Sequence, residues 1–443
     1  MLLDPRDSLG DRVRGRLAVA GPTAFSAYCI GAAFATYFCM YAFRKPFTAA
    51  EYDDGVLWGV GYKSVFVAAQ VAGYTLSKFI GIKVIAEMPR GRRAVSILAL
   101  IGVAEASLVG FALVPPPYNF PFLFVNGLPL GMVFGLVLSF LEGRRLTEAL
   151  AAGLCASFIV SSGVVKSVGR WLVVDWGVDE YWMPSLAGLL FVPPLAAAVG
   201  MLSLIPPPGA DDIAQRQERA PMTRAQRWAF FRRHAVGLTA LIGIFVALTV
   251  LRSLRDDFAV EIWQGLGYGA APSVFARSET LVMVGVIVIS GAAVLVGDNR
   301  RALVISLGLV AAGFALVLVS LAAQTQGALG PFWFMVLIGM GAYVPYVAFH
   351  TTVFERLIAL SDQRANLGYV MYLADSSGYL AYVAVMFAKG RIAGEAGFLT
   401  LFTTLAWWIA VACLALSVVL IAFYARKYRD APAPLAGLAA ERA

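Results

Sequence analysis

The sequence predicts an all-α membrane protein of twelve transmembrane helices, arranged as two pseudo-symmetric halves of six. Three observations carry that prediction. The composition is 60% hydrophobic and 14% charged over 443 residues, with a mean hydropathy of +0.76, whereas a soluble domain keeps roughly a quarter of its residues charged. The apolar residues gather in twelve runs, each near the ~20 residues that a helix needs to cross a bilayer. The later runs also echo the earlier ones at a constant offset.

The head, residues 1–20, carries Arg6, Arg12, Arg14 and Arg16. It precedes a first run, 21–43, that is too long for a signal-peptide core and reads as an uncleaved helix. This run closes on Tyr37–Phe47, Y-F-C-M-Y-A-F-R-K-P-F. On a helix Tyr37, Tyr41 and Arg44 fall at i, i+4 and i+7, one face. A guanidinium fork backed by phenols suits a phosphate or carboxylate better than a cation or neutral sugar. The plainer alternative is that Arg44 and Lys45 anchor a helix end at the headgroups, as basic residues flanking spans commonly do.

Further runs follow at 58–84, 94–114, 121–141, 149–171 and 184–205. Glu105 sits near the middle of the third, where a carboxylate either serves coupling or finds a structural partner. Lys63 and Lys166 lie near helix ends; the first is expected to snorkel, the second stays open as a cavity residue. A polar stretch at 206–235 divides six runs from six. The second set lies at 236–254, 272–296, 302–323, 331–354, 366–388 and 397–424. Arg252 ends its first run, Arg277 and Glu279 are expected to snorkel, and Asp375 sits mid-run with the same two readings as Glu105. The domains are therefore an N-terminal half, 1–205; a linker, 206–235; a C-terminal half, 236–424; and a tail, 425–443.

Alternate loops differ in Lys and Arg. Lys83 to Arg93, Arg144-Arg145, the linker, Arg300-Arg301 and the tail are basic, while P-P-P-Y-N-F at 115–120 and Q-T-Q-G-A-L-G at 324–330 have none. The positive-inside rule then puts both termini and the linker on the cytoplasmic side of the cell's inner membrane. The net charge of +8 is thus a topology signal, and no nucleic-acid partner is needed to explain it. Cys29, Cys39, Cys155 and Cys413 lie inside apolar runs without ligand-like spacing, so neither disulfides nor metal sites are expected. Asp53-Asp54 and Asp211-Asp212 read as solvated loop charges. No nucleotide loop, nucleophile elbow or metal-ligand helix is present, so the chain is expected to be neither an enzyme nor a cofactor carrier, and to be a monomer in the lipid bilayer.

An offset of 208 residues carries Gly59 to Gly267, Gly61 to Gly269, Arg44 to Arg252 and Arg92-Arg93 to Arg300-Arg301. Ser161-Ser162-Gly163 recurs as Ser376-Ser377-Gly378 at an offset of 215. Parallel six-helix repeats are the plan of the major facilitator superfamily, whose substrate site lies between the halves near mid-membrane. Arg44 and Arg252 would then straddle the pseudo-two-fold axis as a clamp.

Y-x-x-x-Y-x-x-R-K-x-F at Tyr37–Phe47 and Y-x-x-S-K-F at Tyr74–Phe79 resemble helices one and two of the organophosphate:phosphate antiporters, which carry glycerol phosphate and hexose phosphates. Arg252 with Asp257 resembles that family's seventh-helix motif. The resemblance implies that Tyr37, Tyr41, Arg44, Tyr74, Lys78 and Arg252 bind substrate phosphate. The sequence departs from the pattern at Cys155-Ala156-Ser157, where the family has a histidine in place of the serine. The function expected is secondary transport of a small, phosphorylated organic anion, with Asp375 or Glu105 as coupling residues. A receptor that senses an organophosphate without moving it is the alternative.

Overall fold

The computed structural model describes residues 9–53, 55–141, 147–206, 224–269, 271–294, 296, 298–361, 367–392 and 397–428. The linker expected at 206–235 lies largely outside them, as do Arg144-Arg145, Asp54, Asp211-Asp212 and the tail beyond Tyr428. The first half comprises α1 (Pro22–Met40), α2 (Tyr62–Glu87), α3 (Arg90–Leu113), α4 (Phe120–Leu141), α5 (Thr147–Val174) and α6 (Met183–Ser203). The second comprises α7 (Arg224–Asp257), α8 (Ser273–Val294), α9 (Asn299–Thr325), α10 (Pro331–Ala348), α11 (Leu367–Ile392) and α12 (Phe398–Lys427). Among the described residues eleven helices are long and apolar enough to cross a membrane. The remaining one, α2, has 26 residues but carries Lys63 and Lys78 inside it. The chain is a multi-pass membrane protein.

The helices pair the same way twice. In the first half α2 packs on α4, α3 on α4 and α6, and α1 on α5 and α6; in the second α8 packs on α10, α9 on α10 and α12, and α7 on α11 and α12. Between halves, α2 meets α11 and α5 meets α8. The repeated glycines Gly59 and Gly267 have φ of +76° and +69°, a left-handed backbone that only glycine adopts at low cost. Small residues let backbones touch elsewhere: a Cβ on Gly73 would lie 2.0 Å from the Phe124 carbonyl oxygen, fixing the α2–α4 crossing.

Local chemistry sets the irregularities that matter for the site. After Met40, α1 tightens into 3₁₀ turns at Tyr41–Phe43 and Pro46–Ala49, because Pro46 has no N–H to continue the helix and restricts the residue before it. Arg44 therefore caps the first 3₁₀ turn instead of riding on α1. In α10, Pro345 precedes a π turn at Phe349–Val353, and helix resumes at Phe354–Ala359. The helix α7 begins at Arg224, inside the stretch expected to be linker. Its polar start disqualifies it from hydrocarbon but not from helix, since Arg, Gln and Ala are good helix formers. At 34 residues it is about 50 Å long, well beyond a hydrocarbon core of about 30 Å.

Candidate functional site

Six lysines and arginines are buried among the described residues: Arg44, Lys45, Lys63, Lys166, Arg252 and Arg255. Four of them have a carboxylate. Lys45 meets Asp256 at 2.6 Å and also Asp257, Lys63 meets Glu261 at 2.7 Å, Lys166 meets Asp256 at 2.5 Å, and Arg255 meets Glu279 at 2.7 Å. Arg44 and Arg252, 7% and 8% exposed, have none among the described residues. Each lies instead over phenol rings. The Arg44 guanidinium carbon is 3.9 Å from the Tyr74 ring centre and 5.7 Å from that of Tyr41. Arg252 is 4.4 Å from Tyr346 and 5.8 Å from Tyr343. Cation–π contact holds a guanidinium in place without neutralising it, and the Nε of each arginine is buried without a hydrogen-bond partner.

The aromatic wall continues across the seam between the halves. Tyr37 packs on Tyr41 at 5.5 Å between centroids, and Tyr74 of α2 meets Tyr379 of α11 edge-on at 5.5 Å. Tyr379 lies within electrostatic reach of Arg44, Arg252, Lys78 and Asp375. Lys78 sits 4.7 Å over Tyr379 and forms an ion pair with Asp375. The structure thus brings together Tyr37, Tyr41, Arg44, Tyr74, Lys78, Arg252 and Asp375. Glu105 stands apart on α3, accepting a hydrogen bond from the Ser185 hydroxyl of α6 at 2.6 Å, with no bond or ion pair to either arginine among the described residues.

At the end of the bundle away from the termini, ion pairs bolt the halves together. Asp256 accepts from Lys45, Lys166 and the Ser162 hydroxyl, and Asp257 accepts from Lys45 and, at 2.8 Å, from the Tyr382 hydroxyl. Lys63 and Glu279, expected to snorkel, are instead buried in ion pairs, and Lys166 belongs to the bolt and not to a cavity. Arg277 is exposed as expected. The partners of Lys63 and Lys166 stand 198 and 90 residues away in the chain, so spacing along one helix cannot reveal them. Tyr343, Tyr346, Tyr379 and His350 also escaped the sequence reading. The Tyr343–Tyr346 spacing and a histidine inside an apolar run were the signals, since a titratable side chain at membrane depth is costly.

A profile of a family of unknown function, DUF5690, matches residues 46–427. The chain belongs to that family. No curated protein matches the sequence. Among solved structures, this DUF5690 member is similar to a POT family transporter in complex with 5-aminolevulinic acid, with 11% identity over 90% of this chain and 96% of that one and a TM-score of 0.60. It is similar to a D-xylose–proton symporter at 15% identity, covering 91% and 97% with a TM-score of 0.54. A variant of the nucleoside transporter NupG follows at 13% identity, covering 90% and 98% with a TM-score of 0.56. At such identities the likeness is one of fold. That fold, shared by this DUF5690 chain, is the twelve-helix major facilitator architecture.

Proposed function

We propose that the chain is a secondary transporter of a small organic anion, a phosphorylated metabolite, which it moves by rocking its halves around Arg44 and Arg252. One observation carries the reading: of the buried bases among the described residues, the two with no carboxylate in contact are the two related by the repeat. Two guanidiniums that face one seam without a carboxylate in contact suit an anion, and phosphate oxygens fit their forks. Tyr37, Tyr41 and Tyr74 orient that group, and Lys78 adds charge. The similarity to solved transporters supports movement over sensing, and the antiporter-like motifs support a phosphate ester. Of the two coupling candidates, Asp375 belongs at this site and Glu105 does not. The termini lie in the cytoplasm and the bolted end faces outward, so the structure is closed outward. The molecule works as a monomer in the inner membrane, its halves spanning 1–205 and 236–424 on either side of the linker.

The test is uptake of radiolabelled glycerol 3-phosphate into proteoliposomes, beside calorimetric binding to the same preparation. Saturable uptake that neutral glycerol does not compete supports the transporter. Binding without flux makes it a receptor, and competition by neutral solutes ends the anion reading.

A further inference from the structure

His350 is one of only two histidines in the chain. It lies in the π turn of α10, where the wider helical turn re-aims the side chains that follow it. Its Nδ1 is 2.8 Å from the Tyr346 carbonyl oxygen. A carbonyl only accepts, so Nδ1 carries the hydrogen and the neutral ring presents a bare lone pair at Nε2. That lone pair faces Asp375 Oδ1 at 3.8 Å. Oδ1 is itself buried without a hydrogen-bond partner, while Oδ2 is held by Lys78. Two acceptors therefore face each other across a gap that a single proton would bridge once ring and carboxylate draw together by about 1 Å.

We propose that His350 and Asp375 form a proton-binding pair that fills when an anionic substrate draws Lys78 away from Asp375, so that one proton enters the site with one unit of substrate charge. The proposal rests on the anion reading above for its trigger, though not for the pair itself. Without substrate, the Lys78 ammonium and the Asp375 carboxylate cancel. When the anion takes Lys78 as its counter-charge, a proton from solution binds at Nε2 and is shared with Oδ1. Imidazolium and carboxylate then cancel in turn. No bond other than that N–H forms, and the site gains no net charge. The neighbours that face the pair are Lys78 from α2, Arg252 from α7, Tyr346 from α10 and Tyr379 from α11 itself, with Arg44 and Tyr74 beyond Tyr379. Both arginines and Lys78 repel a second positive charge, which is why the pair stays empty until Lys78 has an anion of its own.

The experiment uses the full chain in nanodiscs with His234→Gln, leaving His350 as the one histidine, and ¹⁵N-labelled imidazole read by NMR. At neutral pH without ligand the spectrum should be that of the Nδ1–H tautomer with a bare Nε2. Adding Lys78→Gln should produce the imidazolium spectrum at the same pH, because the ammonium no longer competes for Asp375. In a pH titration, Asp375→Asn should form imidazolium only at lower pH than the His234→Gln parent, and that comparison serves if the Lys78 variant does not fold. An Nε2–H tautomer without ligand, or a ring indifferent to both substitutions, overturns the proposal. Glycerol 3-phosphate added to the His234→Gln protein should also convert the ring to imidazolium. Calorimetric binding with an unchanged ring refutes the exchange. If glycerol 3-phosphate does not bind at all, the anion reading fails, and the substitutions still decide the pair.

Discussion

Arg44 and Arg252 lie face-on to tyrosines, and that geometry dictates what substitution should do. Lysine keeps the charge but loses the planar fork, so Arg44→Lys and Arg252→Lys should weaken binding of glycerol 3-phosphate while each protein still inserts. Removing a charge-assisted bond costs roughly 1.5–3 kcal/mol, so each alanine variant should bind at least about tenfold more weakly. If both grip one group, the double variant should lose less than the sum of the singles in titration calorimetry, because neighbours that share a partner are coupled. Additive losses would show that the two arginines do not share one group, and an alanine variant that binds like the parent returns Arg44 to the part of a helix-end anchor. This pair was legible in the sequence because Arg44 beside Tyr37 and Tyr41 is a local pattern, and because the arginine, though not its tyrosines, recurs at a fixed offset. Asp375 was legible as a buried charge but its partner was not, for Lys78 is 297 residues away. His350 carried no motif, and the carboxylate it faces lies on another helix.

The helices were readable from their apolar runs, and their number and order follow from length alone. Their ends were less so. The polar first turns of α7 are helical because propensity, not hydropathy, governs residues outside the bilayer, and the shift of Arg44 to a cap follows from Pro46 two residues on. Crossings between helices make a sharper prediction. A methyl group at Gly73 would strike the Phe124 carbonyl oxygen at 2.0 Å, while one at Gly102 of α3 would meet nothing within 4 Å. Gly73→Ala should therefore destabilise the purified protein by about 1–3 kcal/mol, as expected of overpacking, and so lower its thermal midpoint, and Gly102→Ala should leave it unchanged. Equal midpoints would show that α2 and α4 can separate freely. The bolt makes a second prediction at this scale. Asp256→Asn weakens the hold on Lys45 and Lys166 at once, so a cysteine placed at buried Ser64 should react faster with a membrane-impermeant maleimide. An unchanged rate would mean that other contacts keep that end shut.

For the whole molecule the expectation is a fixed orientation. Reporter fusions after Arg233 and after Tyr428 should both read cytoplasmic, and an external signal at either would undo the positive-inside assignment. The pairing of the helices says more. Because α8 is the second α2 and α11 the second α5, the contacts α2–α11 and α5–α8 are one contact made twice, the relation that defines an isologous dimer. Two identical halves would form this seam as readily as two diverged ones. Divergence has nonetheless touched its two sides unequally. By the two offsets, Lys78 corresponds to Val286 and Asp375 to Val160, both buried aliphatics. One side of the seam therefore holds an ion pair, while its mirror side holds hydrocarbon. A carrier assembled from two copies of either half would have such a pair on neither side, since the lysine came down one lineage of the repeat and the aspartate down the other.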